Sequence, residues 1–127
     1  MGGSAHPRTV LVVEDEVLIM SLVTDTLMEH GFAVHEATTA DEALRYLDSG
    51  GPVDVLFADV NLPGGMDGAE LASRVRARHP EMPVVYASGR CGRYDLAGPV
   101  PRSVFVTKPY DPEEVCMLLA RLTDMPH

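Results

Sequence analysis

Short apolar runs alternate with amphipathic stretches along the whole chain. Runs of strand length stand at Val10–Val13, Phe32–Glu36, Val53–Ala58, Val84–Ala87 and Val104–Val106. Four of these are almost unbroken apolar sequence, the pattern of a strand covered on both faces in a parallel sheet. The second alternates more, with Phe32 and Val34 against His35 and Glu36, and reads as an edge strand with one wetter face.

The intervals carry helical periodicity. Residues 16–29 place Ile19, Leu22, Val23 and Leu27 on one stripe, and Gly31 follows as a stop. A second helix is expected over 40–48, opened by the capping-box pattern Thr39-Ala40-Asp41-Glu42 and closed by Gly50-Gly51. A third is expected over 68–78, capped by Asp67, with Leu71 and Val75 inward and Pro80 beyond its end. The last is expected over 112–123. Asp111 is its N-cap, Pro112 its first residue, and Glu113 and Glu114 lie at the positive end of its dipole. Val115, Leu118, Leu119 and Leu122 form its apolar stripe.

The stretch 89–103 breaks this rhythm. Its glycines and prolines leave room for at most one helical turn near Arg93–Ala97, so a loop is expected there, with Tyr94, Leu96 and Val100 as sparse apolar anchors. Strand–helix alternation with right-handed crossovers predicts a doubly wound α/β sheet.

The chain has 127 residues, of which 46% are hydrophobic, enough for one domain with a real core. Residues 1–7 are expected to form a flexible leader, 8–124 the domain and 125–127 a tail. No apolar run approaches the roughly 20 residues that span a bilayer, and the leader has no apolar export segment, so the expectation is a cytoplasmic protein without a membrane partner. A net charge of −9 argues against a nucleic-acid partner, which calls for a basic surface. Cys91 and Cys116 form no C-x-x-C pair and are expected to be free thiols. The histidines lack ligand spacing.

In open α/β sheets ligands bind beyond the carboxyl ends of the strands. The residues that follow each run are therefore the candidates for chemistry. After the first come Glu14, Asp15 and Glu16; after the third, Asp59; after the fourth, Ser88 and Gly89; after the fifth, Thr107, Lys108 and Pro109. Three carboxylates, Glu14, Asp15 and Asp59, against the ammonium of Lys108 leave a net charge of about −2, a costly arrangement that a divalent cation relieves. Hard oxygen donors without His or Cys point to Mg²⁺ or Mn²⁺ rather than zinc. Beside such a cation Asp59 is placed to attack a phosphoryl group, with Lys108 neutralising charge and Ser88 donating a hydrogen bond.

In these residues the chain resembles the receiver domain of bacterial two-component response regulators. Glu14-Asp15, Asp59, Ser88 and Lys108-Pro109 stand in the family's order, and Asp59-Val60-Asn61-Leu62-Pro63-Gly64-Gly65-Met66-Asp67-Gly68 is similar to its phospho-acceptor loop. The resemblance runs from about Arg8 to Leu122. It implies a flavodoxin-like five-stranded parallel sheet in the order 2-1-3-4-5. It implies Asp59 as phospho-acceptor, with Mg²⁺ held by Glu14, Asp15, Asp59 and the backbone carbonyl of Asn61. Lys108 and Ser88 would act on the phosphoryl group, Ser88 and Phe105 would form the switch, and Lys108–Pro109 would be a cis peptide. A histidine kinase or histidine phosphotransfer protein would be the donor and an unknown downstream protein the reader. The chain would be a monomer or weak homodimer, and would catalyse only its own phosphorylation and dephosphorylation.

The departures are specific. Glu14 stands where the family more often has aspartate, Gly64-Gly65 adds a residue to the acceptor loop, and the fourth helix is expected to be short or missing. Tyr86-Ala87-Ser88-Gly89 is similar to the Phe-Ala-Thr-Gly signature of an atypical receiver subgroup with that trait. The expectation is a stand-alone receiver. Two other readings remain: a small phosphatase or phosphotransferase working through Asp59, though Asn61 stands where a second catalytic acid would lie, and a docking module that takes no phosphate. Each residue also has a plainer reading: Asp59 as a turn acid, Glu14 and Asp15 as caps, Ser88 as a turn former, Phe105 as core and Lys108 as surface charge.

Overall fold

The structure, a computed structural model, describes residues 7–89 and 100–123. Nine elements follow in the order β1 (Thr9–Val13), α1 (Val17–Glu29), β2 (Ala33–Ala37), α2 (Ala40–Asp48), β3 (Val55–Asp59), α3 (Gly68–Arg78), β4 (Val84–Ser88), β5 (Ser103–Thr107) and α4 (Pro112–Leu122). All strand pairs are parallel, and the sheet order is β2-β1-β3-β4-β5. This is the flavodoxin-like, doubly wound arrangement expected. Of the expected leader only Pro7 is described. The tail, Cys91 and the expected helical turn at 93–97 lie outside the described residues, as does most of the place of a helix between β4 and β5.

Strand alternation divides the core in two. Leu11, Val13, Leu56, Ala58 and Tyr86 pack on one face with Ala43 and Leu47 of α2 and Leu71 and Val75 of α3. Val10, Val12, Phe57, Val85 and Ala87 pack on the other with Met20, Val23 and Leu27 of α1 and Val115 and Leu119 of α4. Helix ends follow local chemistry. Asp67 caps α3 by accepting from the Glu70 N–H at 2.9 Å, and Asp111 caps α4 by accepting from Glu113 N–H at 2.9 Å. After α1, Gly31 at φ 91 and Phe32 donate to the Met28 and Leu27 carbonyls, which closes the helix in a left-handed turn that glycine adopts without strain.

Four expectations need correction. Leu22 is 57% exposed, and the buried stripe of α1 is Met20, Val23, Thr26 and Leu27, because this helix is apolar on more than one face. In α4, Leu118 and Leu122 are only half-buried, and Cys116 and Ala120 join Val115 and Leu119 inside. β5, whose apolar run reads as a strand covered on both faces, is of intermediate burial at the sheet edge where the expected order places it. Residues 100–103, expected as the end of a sparsely anchored loop, are tied down and lead directly into β5 at Ser103. Val100 is buried, the Tyr86 hydroxyl accepts from its N–H at 3.1 Å, and Arg76 donates to the Pro101 and Arg102 carbonyls at 2.7 and 3.2 Å. Cys116 is a free, buried thiol. Burial, then Glu113 and Glu29, push its pKa up to about 11, so it is a core residue and not a nucleophile.

Candidate functional site

Three strands deliver the acids and the base to one end of the sheet. β1 ends at Val13 and releases Glu14 and Asp15. β3 ends on Asp59 itself, and β5 is followed directly by Lys108. The strand ends are locked together by backbone bonds, with Val60 N–H donating to Ala87 carbonyl at 2.9 Å and Lys108 N–H to Ser88 carbonyl at 2.7 Å. The first turn of α3 is pressed against the acceptor. A Cβ at Gly68 would lie 2.4 Å from the Asp59 carbonyl oxygen, so only glycine lets the helix start there. Gly64 and Gly65, both at positive φ, make the preceding loop.

Lys108 lies at the centre. Its Nζ is 2.5 Å from Asp59 Oδ2, 3.3 Å from Glu14 Oε1 and 3.8 Å from Glu16 Oε2. The other Asp59 oxygen, Oδ1, accepts from the Asn61 N–H at 3.0 Å. Glu14 is 3% exposed, and its Oε2 accepts from the Glu16 N–H at 3.0 Å. Burial raises the Glu14 pKa above its ordinary value, with Asp59 adding to the rise and the Glu16 N–H and Lys108 opposing it. Burial would lower the Lys108 pKa, but the bond to Asp59 and the charges of Asp59 and Glu14 outweigh it and hold the ammonium above its usual range.

One carboxylate oxygen each from Glu14, Asp15 and Asp59 lie within 4.8 Å of one another. The donors are all hard oxygens and only one ammonium opposes them, so the set suits a cation such as Mg²⁺. Asp15 is exposed and Glu14 and Asp59 are buried, which leaves the cluster open on one side to water or substrate oxygens. Mg²⁺ characteristically keeps such ligands.

Ser88 is fully buried at the end of β4, level with Thr107 of β5. Phe105 is half-buried, its ring tilted against Tyr86 with centroids 5.0 Å apart. The Lys108–Pro109 peptide is cis. The expected site residues are thus brought to one end of the sheet, with Phe105 two residues below that end on β5. The expected capping of α1 by its acids is partial. Its N-cap, Glu16, makes no side-chain capping bond, and of the backbone N–H groups there Glu14 reaches that of Glu16.

Two neighbours carry no role in the sequence reading. Glu16 shares Lys108. Tyr110 packs edge-on against Phe57 and its phenol is pushed up by burial, then by Glu14, Asp59 and Glu16, which places it beside the acids. Its position directly after Lys108-Pro109 is the only sequence signal for it. Lys108, Gly89, Pro109, Tyr110 and Pro112 line a groove of about 350 Å³ whose other wall is Ile19, Leu22 and Val23 of α1.

A family model, response regulator receiver domain, matches residues 10–120. Among curated proteins, the chain is 39% identical over 90 residues to sensor kinase CckA of Brucella abortus, covering 70% of this chain and 9% of that one. It is 31% identical over 115 residues to the nitrogen assimilation regulatory protein NtrX of Azorhizobium caulinodans (88% and 25%), and 35% identical over 113 residues to the transcriptional regulatory protein CreB of Escherichia coli (86% and 48%). The chain thus spans less than half the length of each of these relatives. Among solved structures it is similar to a response regulator receiver protein of Sinorhizobium medicae, with TM-score 0.87, 27% identity and coverage of 93% and 95%. It is also similar to the chemotaxis response regulator CheY4 of Vibrio cholerae, with TM-score 0.75, 27% identity and coverage of 91% and 98%.

Proposed function

The chain belongs to the response regulator receiver domain family, and from that premise we propose that it accepts a phosphoryl group on Asp59 from a phosphohistidine and signals by the change in shape that follows. The observation that carries this reading is the position of Lys108 Nζ, 2.5 Å from Asp59 and 3.3 Å from Glu14, with Asp15 alongside.

In the proposed step a carboxylate oxygen of Asp59 attacks phosphorus, the O–P bond forms, and the N–P bond breaks with its electron pair going to the imidazole nitrogen. Glu14, Asp15 and Asp59, with the Asn61 carbonyl, would hold Mg²⁺, which supplies positive charge against the phosphoryl oxygens when bound. Lys108 exchanges its contact with the free carboxylate for one with the phosphoryl group. Ser88 donates its hydroxyl to a phosphoryl oxygen, and Phe105 follows Ser88. Residues 8–124 constitute the module.

The donor in this reading is a histidine kinase or histidine phosphotransfer protein. Exposed apolar residues support a protein donor: Val17, Leu18 and Leu22 of α1 are 76%, 85% and 57% exposed, and Leu22 lines the groove that leads to Lys108. Among the described residues, no helix is long and apolar enough to cross a membrane.

With Mg²⁺ and acetyl phosphate, intact mass should rise by one phosphoryl group, and Asp59→Asn should remove that gain. A gain that persists in the variant moves the acceptor elsewhere. No gain in the wild-type protein, from acetyl phosphate or from a phosphohistidine donor, favours the docking-module reading.

A further inference from the structure

Tyr86 is an interior side chain with a polar end. It is 0% exposed, it stands on the same face of β4 as Ser88 two residues on, and its register partner on β5 is Phe105. Its ring forms the wall against which Phe105 lies. Its hydroxyl accepts from the N–H of Val100, itself buried, at 3.1 Å. A phenylalanine here would fill nearly the same volume and leave that N–H without its partner. The hydroxyl therefore serves something other than packing.

What it holds is the turn that feeds β5. Ser103 Oγ donates to the Val100 carbonyl at 2.7 Å. Arg76 of α3 clasps the next two carbonyls while its Nε donates to that of Met82 at 2.7 Å. Arg102 closes the turn at φ 58, a left-handed conformation that non-glycine residues adopt only when their surroundings hold them there. Among the described residues, the polar ties to this turn come from Arg76 of α3, from within the turn, and from Arg102 reaching the Pro80 carbonyl at 3.3 Å and Glu81 at 3.7 Å. The Tyr86 hydroxyl adds one from the strand that ends in the proposed phosphate-contacting serine.

We propose that the Tyr86 hydroxyl is a latch for the unphosphorylated state, pinning the wall beside Phe105 to the Val100 turn so that activation of Asp59 must release it. The inference rests on the phospho-acceptor reading above. The backbone at the end of β4 is fixed on both sides, by Val60 N–H on Ala87 and by Lys108 N–H on Ser88. At these two positions a response to phosphate falls first to the side chains. If Ser88 turns toward the phosphoryl group, Phe105 follows along the Tyr86 ring it packs against, and a Tyr86 that yields to it gives up its bond to Val100. A contact made in one state alone biases the equilibrium toward that state.

The probe is beryllofluoride with Mg²⁺, titrated into wild-type protein and Tyr86→Phe while the Val100 amide is followed by hydrogen exchange. Tyr86→Phe should bind beryllofluoride about five-fold more tightly, the equivalent of one net hydrogen bond of about 1 kcal/mol. Val100 should be protected in the free wild-type protein, exchange faster with beryllofluoride, and exchange fast in the variant throughout. A hydroxyl that merely stabilises the fold would lower the melting temperature and leave the affinity unchanged. Unchanged or weaker affinity, or slower Val100 exchange on adding beryllofluoride, overturns the latch while leaving Asp59 as acceptor. Wild-type protein that takes neither beryllofluoride nor phosphoryl mass overturns the acceptor reading, and the latch with it.

Discussion

Helices α1 and α2 both begin just beyond the carboxyl end of a strand, yet they are built on opposite terms. At the start of α2, Thr39 accepts from the Glu42 N–H at 3.1 Å, and the Glu42 carboxylate turns back to the N–H and hydroxyl of Thr38 at 2.5 and 2.9 Å. Ala40, Ala43, Leu44 and Leu47 are buried, and no large apolar side chain of α2 is left exposed. At the start of α1 the N-cap residue Glu16 makes no side-chain capping bond, Glu14 is turned toward Lys108, and Val17, Leu18 and Leu22 face water. One helix start satisfies its own backbone; the other lends its acids to the site and its apolar side chains to the surface. Departures from local rules of this kind are expected where function competes with folding.

The largest effect expected from this contrast lies in the apolar residues. Leu44→Ala in α2 should cost about 2–5 kcal/mol in a urea melt, because it opens a cavity in the core. Leu18→Ala in α1 should change stability by less than about 0.5 kcal/mol, the usual range for a surface site. It should instead slow transfer from a phosphohistidine protein that labels the wild type, by the equivalent of about 1 kcal/mol or more, and leave labelling by acetyl phosphate unaltered. Equal losses with both donors would show that Leu18 supports the site and not the docking of a partner.

The caps separate the helices by a smaller margin. Thr39→Ala should cost about 1 kcal/mol, since it leaves the Glu42 N–H without its cap. Glu16→Ala should cost much less, having no cap to lose and only a 3.8 Å contact with Lys108. Paired urea melts decide the point, and a matching loss in Glu16→Ala would mean that α1 depends on its first residues as α2 does.

Much of this was legible in the sequence. The strand runs locate all five strands to within two residues at each end, and the helices likewise, because apolar period and capping chemistry agree locally. The acids, Ser88 and Lys108 are legible because each directly follows or ends a strand. What stayed hidden depends on the other face of an element or on distant partners. In α1 the stripe through Leu22 and the one through Met20 both have helical period, and only contact with α4 and the sheet selects between them. Nothing near Val100 announces that Tyr86 will hold its N–H or that Arg76 will hold the next two carbonyls, since both lie at least 14 residues away. Glu16 and Tyr110 reach the site only through the geometry of Lys108 and its neighbours.

The finest test of the contrast is the titration of Glu14 and Glu42, whose pKa values move in opposite directions. The N–H and hydroxyl of Thr38 hold the Glu42 pKa below its ordinary value of about 4.5. Such a group favours the fold above that value, and its contribution is lost as pH falls through the lowered one. Burial raises the Glu14 pKa. Its protonated form is the one the fold favours, so the contribution is present below about 4.5 and is lost as pH rises through the raised value. Both effects should be small, because Glu42 is exposed to water and because Lys108 offsets part of the burial of Glu14. Melts in EDTA from about pH 3 to pH 7, with Glu14→Gln and Glu42→Gln beside the wild type, read the signs directly. Glu42→Gln should be nearly equal to wild type at the acid end and fall behind as pH rises, and Glu14→Gln should gain on wild type over the same interval. Mg²⁺ should shrink the Glu14 difference, because a cation compensates the buried carboxylate that glutamine removes. If Glu14→Gln loses ground as pH rises in EDTA, then Lys108 and the Glu16 N–H outweigh burial, and the start of α1 is shaped for folding after all.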